Sequence, residues 1–590
     1  MLSTPSINFG ESMVNSVRGT SLLLATLAFL HSASAQTPQD SRITIAHPGF
    51  NLLKSDLQMT ISLATPGEQK QWENIQGYID TFIIGIDETR EVQVQVMTGI
   101  SPVGYLICVP LLDGGDPSKD FRENLDSLGY GMMRDPKDHS LYSIESDANE
   151  YGWLRVDPAI RYAFFMITTN KAVLPKLKAI VLKAGLVPAI LDQNMIAELK
   201  NTDPAAAAIA HRIEAFKPIR DEQLALIKLR PDEKPTTFQL RQASSRQLFD
   251  EAERVMSEAD QMLMTLTMDR TIADAPKINL RTTVTAIPGT PTEATIAQYS
   301  GLNDAFANLQ RLKGSALSVR VNHPLDELRK KELTETLTLT QADIEAGLTA
   351  NKTRTDAEKS AFIKFTTGVV GVLEASVQSG HLNGFIESIP NGDDNSTSIT
   401  AFASSKAADL QLILPLLTDA GKGNSVEMNV EKVGEVDIHK IQIAAGFISS
   451  FDKYFGSHDD MFVGVGPQRV WIGTGKDALE TLKSTIEGVT APAINPVVLK
   501  IEGNLLPWAQ RIDATAKAEK PAKSTADEEK LRRERARVRE RALAAFAAQD
   551  DFSLVISSDN GKWVGEFTSN TGLLRFVGKM MSAFSKENFE

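Results

Sequence analysis

Alternation with period two marks much of the chain. Glu91-Val92-Gln93-Val94-Gln95-Val96 places apolar residues on one side and polar residues on the other, which predicts a half-buried strand. Arg42 to Ala46 alternates likewise and stops at His47-Pro48, and Leu57 to Leu63 alternates again. Gly104 to Leu112 is a more continuously apolar strand, and Ser140 to Glu145 is another. Helical spacing fills the intervals at Gln69 to Phe82 and Asp116 to Leu128. The pattern turns helical from Ala189 to Ile227 and again from Arg241 to about Leu263. There Leu248, Ala252, Val255, Ala259 and Met262 form one apolar stripe. Ile278 to Ala286 alternates as a strand, Pro288-Gly289 ends it, and Pro291 to Leu309 reads as helical.

The same grammar restarts at Leu317. Val319 to Val321 runs into His323-Pro324, Leu333 to Leu339 alternates, and a longer helical stretch covers Thr340 to Val377. A strand at Ser398 to Ala403, a helix at Lys406 to Leu417 and a strand pair at Val426–Val430 and Val436–Ile443 follow. Trp153 to Ile180 and Phe462 to Ile486 are two copies of one unit, two short strands leading into an amphipathic helix, and they align without a gap from Thr169 and Thr474 onward. Val497 to Leu506 reads as a strand and Ala514 to Ala526 as a flexible loop. A charged helix, 527–548, precedes Phe552–Ile556 and Trp563–Phe567. Asn560-Gly561 supplies the positive φ angles of a tight hairpin between those two. A helix from Gly572 to Phe584 closes the chain. The order of these matches predicts an internal duplication behind a leader: 1–35 a signal peptide, 36–313 a first α+β lobe, 314–590 a second with a longer helical insertion. The expected class is α+β, antiparallel sheets packed against long amphipathic helices.

Residues 1–35 read as an export signal. Arg18 precedes the apolar run Leu22 to Leu30, and Ala33-Ser34-Ala35 supplies an A-x-A site that places cleavage before Gln36. Met13 is an alternative start. Charges interrupt every later apolar stretch, so no membrane crossing is expected after removal of the leader. The formal charge of −13 argues against general nucleic-acid binding. Cys108 is the sole cysteine, so there is no intramolecular disulfide, and its apolar surroundings favour a buried inert thiol.

Candidate chemistry is sparse. His47 and His323 hold equivalent places before a proline, where a strand end explains them as well as a metal or proton-transfer site. His439 and His458 form a loose Asp/His group without the spacing of a zinc site. The loops Asp113 to Asp116 with Asp120, and Asp393-Asp394-Asn395, are rich in oxygen but lack the calcium-loop pattern. Gly464, Gly466, Gly473 and Gly475 fit neither phosphate-loop spacing. No catalytic, cofactor or metal residue is therefore assigned. Lys530, Arg532, Arg533, Arg535, Arg537, Arg539 and Arg541 could offer a basic face to an anionic partner or simply face water. Met256, Met262, Met264 and Met268 could fill a core or line a greasy groove.

The duplicated strand-strand-helix units behind a signal peptide resemble uncharacterised exported bacterial proteins of a domain-of-unknown-function type. That resemblance implies no activity and transfers no site residues. The expectation is a non-catalytic exported binding or scaffold protein whose partner is an envelope polymer, a lipid or a protein. Two alternatives stand beside it. One is a carrier of an apolar, lipid-like ligand in a cavity between sheet and methionine-bearing helix, and the other a hydrolase with an Asp/His site.

Overall fold

The computed structural model describes residues 41–589 apart from 65–70, 98–103, 113–118, 189–194, 231–232, 273–274, 391–395, 444–459, 490 and 519–525. The export segment, both oxygen-rich loops (Asp120 aside) and His458 lie outside the described residues.

The first half runs β1 (Ser41–His47), α1 (Phe50–Ser62), α2 (Gln71–Phe82), β2 (Val92–Met97), β3 (Gly104–Pro110), α3 (Lys119–Ser127) and β4 (Tyr130–Arg134). It continues through β5 (Leu141–Ser146), β6 (Tyr151–Asp157), β7 (Tyr162–Thr168), α4 (Leu174–Lys183), β8 (Met195–Asn201), α5 (Ala206–Ala225) and α6 (Pro235–Glu258). It ends with β9 (Ala259–Asp269), β10 (Lys277–Ala286), α7 (Pro291–Tyr299) and the two-residue β11 (Asn303–Asp304). The second half runs β12 (Leu317–Pro324), α8 (Glu327–Ala350), α9 (Asp356–Gln378), β13 (His381–Pro390), β14 (Ser396–Ala403), α10 (Asp409–Ile413) and α11 (Leu416–Asp419). Next come β15 (Ser425–Val433), β16 (Val436–Gln442), β17 (Asp460–Val465), β18 (Arg469–Thr474), α12 (Ala478–Gly488), β19 (Ala493–Ile494) and β20 (Val497–Asn504). α13 (Leu505–Ala518), α14 (Ala526–Ala545), β21 (Asp551–Asp559), β22 (Lys562–Ser569) and α15 (Thr571–Phe589) complete the chain.

The protein is α+β, built on one antiparallel sheet of 20 strands. From one edge the pairing order is β4-β5-β6-β7-β3-β2-β1-β8-β9-β10. From the other edge it is β15-β16-β17-β18-β14-β13-β12-β20-β21-β22. The two series meet where β10 pairs with β22. Each strand of the first series has a counterpart at the same rank in the second, and helices intervene at the same points of the chain. The two strand-strand-helix units, β6–β7–α4 and β17–β18–α12, take the expected form. A continuous sheet thus replaces the separate lobe sheets expected from the sequence.

Alternating side chains give the outer part of each half a core on both faces. In the first half Cys108, Phe164 and Met166 pack under α4, while Val109, Ala163 and Phe165 pack against Phe121 of α3. In the second half Val463, Val465 and Val470 join α9, α10 and α11, while Ile399, Ala401 and Trp471 pack under Leu482 of α12. The polar side of β2 is not solvated as alternation suggested. Gln93 and Gln95 are buried, and their amides bond the backbone of Val187 and Gly185. At the C-terminal hairpin Asp559 pairs with Lys562, with φ of 49° at Asn560 and 74° at Gly561, as the Asn-Gly pair predicts.

Several expected elements differ. Leu57–Leu63 and Leu333–Leu339 lie within or at the end of helices α1 and α8, where a short alternating run is overridden by longer helical context. Asp326 caps α8 by accepting a bond from the Arg329 amide at 2.9 Å. The stretch Thr340–Val377 breaks at residues 351–355, where Thr355 and Glu358 form a capping box that opens α9. β8 interrupts the predicted helix 189–227, and β4 was not anticipated at all. The helix predicted to Leu263 ends at Glu258, so Met262, Met264 and Met268 stand on β9. Lys406–Leu417 is two short helices, the Pro291 helix stops at Tyr299, and α13 takes in the start of the Ala514–Ala526 loop. α9 is long and apolar enough by composition to cross a membrane, contrary to expectation. Its surroundings explain that composition, for it packs against α8, α10, α11 and β13.

Candidate functional site

Residues from distant parts of the chain line a cavity over the middle of the sheet. Residues directly opposite each other in antiparallel strands project to the same face. Met264, Thr282, Gly565, Ile556, Leu499, Val321, Gly384 and Phe402 form such a row across eight strands, each opposed to the next. Seven of the eight line the cavity, and Gly565 makes room for a neighbour. A Cβ at Gly565 would sit 2.6 Å from the indole of Trp563, so the missing side chain lets that ring lie over the strand and form part of the floor.

Helices supply the roof. Ser244, Gln247, Leu248, Glu251 and Val255 lie on one side of α6, and Arg329, Leu333, Thr336 and Leu337 on one side of α8, each at helical spacing. Leu373 and Val377 of α9 and Ile296 and Tyr299 of α7 close the remaining walls. The space beneath the roof is about 530 Å³, within the size range of small-molecule sites. Hydrogen bonds stitch the roof. The Gln247 amide donates to the Glu332 carbonyl at 2.9 Å, Thr237 donates to Asp343 at 2.8 Å, and Arg246 pairs with Glu335 at 2.6 Å. The Glu258 carboxylate accepts from the Thr292 amide at 2.8 Å and so fixes the start of α7 against the end of α6.

Polar groups gather at one part of the wall. Arg254 reaches Asp326 at 2.6 Å and Glu251 at 3.3 Å, while Arg329 reaches Asp326 at 2.7 Å and also contacts Glu251. Thr295 donates to Asp326 at 2.9 Å. Burial alone would raise the Asp326 carboxyl, but the charges of Arg329 and Arg254 outweigh it and hold that group below the usual carboxylate range. Burial likewise opposes the Arg329 cation, and Glu251, Tyr299, Asp326 and Glu332 more than offset it. Beside this cluster the Tyr299 hydroxyl lies 3.4 Å from His323 Nε2, with the two rings edge to face. Burial, reinforced by the Arg329 charge, brings His323 down to about 3, so the ring is neutral at physiological pH. His323 Nδ1 lies 2.5 Å from the Pro324 carbonyl, which makes that nitrogen the protonated one.

The other sequence candidates fall elsewhere. Six strands lie between those of His47 and His323 in the sheet, and His47 Nδ1 accepts from the Gly49 amide at 3.2 Å, so no paired histidine site forms. His439 is buried in β16 with Nδ1 accepting from the Asn429 amide at 3.0 Å. Cys108 is buried, and burial pushes its thiol up to about 12. Among the described residues no group of three or more His, Cys, Asp or Glu is placed to hold a metal ion. Within the basic helix, Arg539 pairs with Asp513 at 3.7 Å and Arg541 with Glu587 at 3.7 Å, while Arg532, Arg533, Arg535 and Arg537 are exposed. Of the methionines, Met262 and Met264 line the cavity, and Met256 packs on Phe216 and Ile219 of α5. The alternation in Met264-Thr265-Leu266-Thr267-Met268 was the signal that could have placed them on a strand.

No family model and no curated protein matches the chain. Among solved structures it is similar to the chain titled "Structure of crystal form I of TP0453", at 10% identity over 43% of this chain and 77% of that one. The TM-score of 0.18 is too low to bear on fold or function.

Proposed function

We propose that the protein is a non-catalytic exported binding protein whose ligand is an apolar molecule held between the central sheet and helices α6 and α8. The observation that carries this reading is the cavity of about 530 Å³ with a wall made chiefly of Leu, Val, Ile, Met and aromatic side chains. Several of these, including Val255, Leu333, Leu337 and Phe402, stay only partly buried although they point inward. Apolar surface kept facing open space forgoes favourable burial of roughly 25 cal/mol per Å². A ligand with an alkyl body would recover that stabilisation on binding. The hydrolase alternative draws less support, because His439 is buried within its strand.

Native mass spectrometry of the purified chain tests the reading, with uptake of N-phenyl-1-naphthylamine as a second measurement. Leu337→Trp narrows the space from the α8 side and should weaken retention of a bound apolar molecule while the protein stays folded. Unchanged retention in that variant would move the site away from the cavity. Export is part of the proposal, and N-terminal sequencing of the mature protein should begin at Gln36. We also infer that the halves descend from one duplicated ancestor, since strand order and helix placement agree rank by rank. A single-half relative that dimerises by pairing its last strand with its own copy would support this, and one with a different strand order would count against it.

A further inference from the structure

We propose that the cavity selects an uncharged amphiphile with a hydroxyl head, such as a long-chain alcohol or a monoacylglycerol, over an ionised fatty acid. This deepens the reading above and rests on it. Charge is the first argument. The two arginines on the wall, Arg254 and Arg329, are already engaged by Glu251 and Asp326 at the distances given. One turn beyond Arg329, Glu332 is buried in the same wall at 7% exposure. Each of the two cations is thus already matched by a carboxylate, and a ligand carboxylate entering this wall would add like charge in a poorly solvated place.

The neutral pair beside the cluster is the second argument. With its proton on Nδ1, His323 presents Nε2 as an acceptor, and Tyr299 presents an O–H that can donate. Their separation of 3.4 Å is long for a direct bond of this type. A ligand hydroxyl can donate to His323 Nε2 and accept from Tyr299 at once, whereas an ionised carboxylate can only accept. The alkyl body then lies along the floor row toward Val321 and Leu499.

The test is displacement of N-phenyl-1-naphthylamine, an uncharged probe, by dodecanol, monolaurin and laurate at pH 8. Dodecanol and monolaurin should displace at concentrations about tenfold below laurate, which loses one favourable polar contact and gains a repulsive one. Because an alcohol enters any greasy space more readily than an anion, the variants decide. Tyr299→Phe should weaken dodecanol about fivefold, and laurate with it because a carboxylate accepts from the same hydroxyl, while leaving the probe unchanged. Glu251→Gln, which removes one of the carboxylates that match the arginines, should strengthen laurate and leave dodecanol unchanged. Laurate binding as tightly as the alcohols, or dodecanol indifferent to Tyr299→Phe, overturns the head-group assignment while probe binding leaves the cavity reading standing. If the probe never binds, or Leu337→Trp does not weaken its binding, the cavity reading itself fails.

Discussion

The two halves share a strand order but roof the middle of the sheet differently. In the first half the closing helix α7 has nine residues and lies against α6, β10, β12 and β21. In the second, the helix at the same rank, α15, has 19 residues and packs on α1, α2 and α14. Where α15 reaches across, it lies between its own α14 and the helical hairpin of the opposite half. Where α7 stops short, α6 docks directly on α8 of the opposite half, and the cavity lies beneath that junction. Shape differs through helix length alone, with the sheet beneath unchanged in order. A binding space can thus lie where one packing element of a two-part scaffold is short, without a core being carved.

The largest effect should come from forcing α15 off its seat. Gly578 approaches α1 so closely that a Cβ would sit 2.2 Å from the Thr60 carbonyl oxygen, which is backbone and cannot swing aside. Gly578→Leu should cost about 3 kcal/mol or more and lower the melting temperature accordingly. Stability unchanged by that substitution would mean that α15 does not wedge against the first half.

Packing density gives the next contrast. Leu154 is fully buried in the first-half core, so Leu154→Ala should cost about 3 kcal/mol through lost burial and a new void. Leu337 already borders open space, and Leu337→Ala should cost below about 1 kcal/mol because little new cavity is created. Chemical denaturation of both variants measures this directly. Equal costs would mean that the roof is as tightly packed as the outer core.

The equivalent histidines allow a comparison by pH. His323 binds its proton only near pH 3 when folded and near 6.5 when unfolded, so the unfolded state takes up more protons between those values. Its contribution to stability is therefore present above about pH 6.5 and is lost as pH falls, by up to about 2 kcal/mol at pH 5. His323→Phe should flatten the stability profile over that window. His47 is also lowered by burial, but without the neighbouring cation that adds to the shift at His323, so His47→Phe should flatten the profile less. A steeper effect at His47 would reverse the assignment of which histidine faces the more enclosed space.

How far the sequence discloses this arrangement depends on where the deciding contacts lie. Hairpins and the repeated unit are legible because their partners are adjacent in the chain, as with Asp559 and Lys562. β8 is not, since Met-Ile-Ala-Glu-Leu-Lys-Asn favours a helix in isolation and becomes a strand between β1 and β9. Conversely, Leu57 to Leu63 alternates by accident within α1. The equivalence of the two His-Pro pairs is readable, but His323 gains its character from Tyr299 and Arg329 through tertiary packing. The cavity floor draws on eight strands from Met264 to Ile556, and nothing local in any one of them marks a ligand-facing row.

The smallest effect concerns how the α6–α8 junction holds. Arg246 and Glu335 face each other across it at 2.6 Å with side chains 43% and 37% exposed, so water screens much of their attraction. Single alanine variants and the double variant should give a coupling energy of about 0.5 kcal/mol, smaller at high salt. The buried bonds of Gln247 to the Glu332 carbonyl and to Thr336, at 2.9 and 3.1 Å, should contribute more, because a group left unpaired there has no water to replace its partner. Gln247→Leu should therefore cost more than either alanine change and should speed release of a bound probe, since α6 would part from α8 more often. If instead the exposed pair dominates, release rates should rise steeply with salt, and the junction would be an electrostatic latch with the buried bonds secondary.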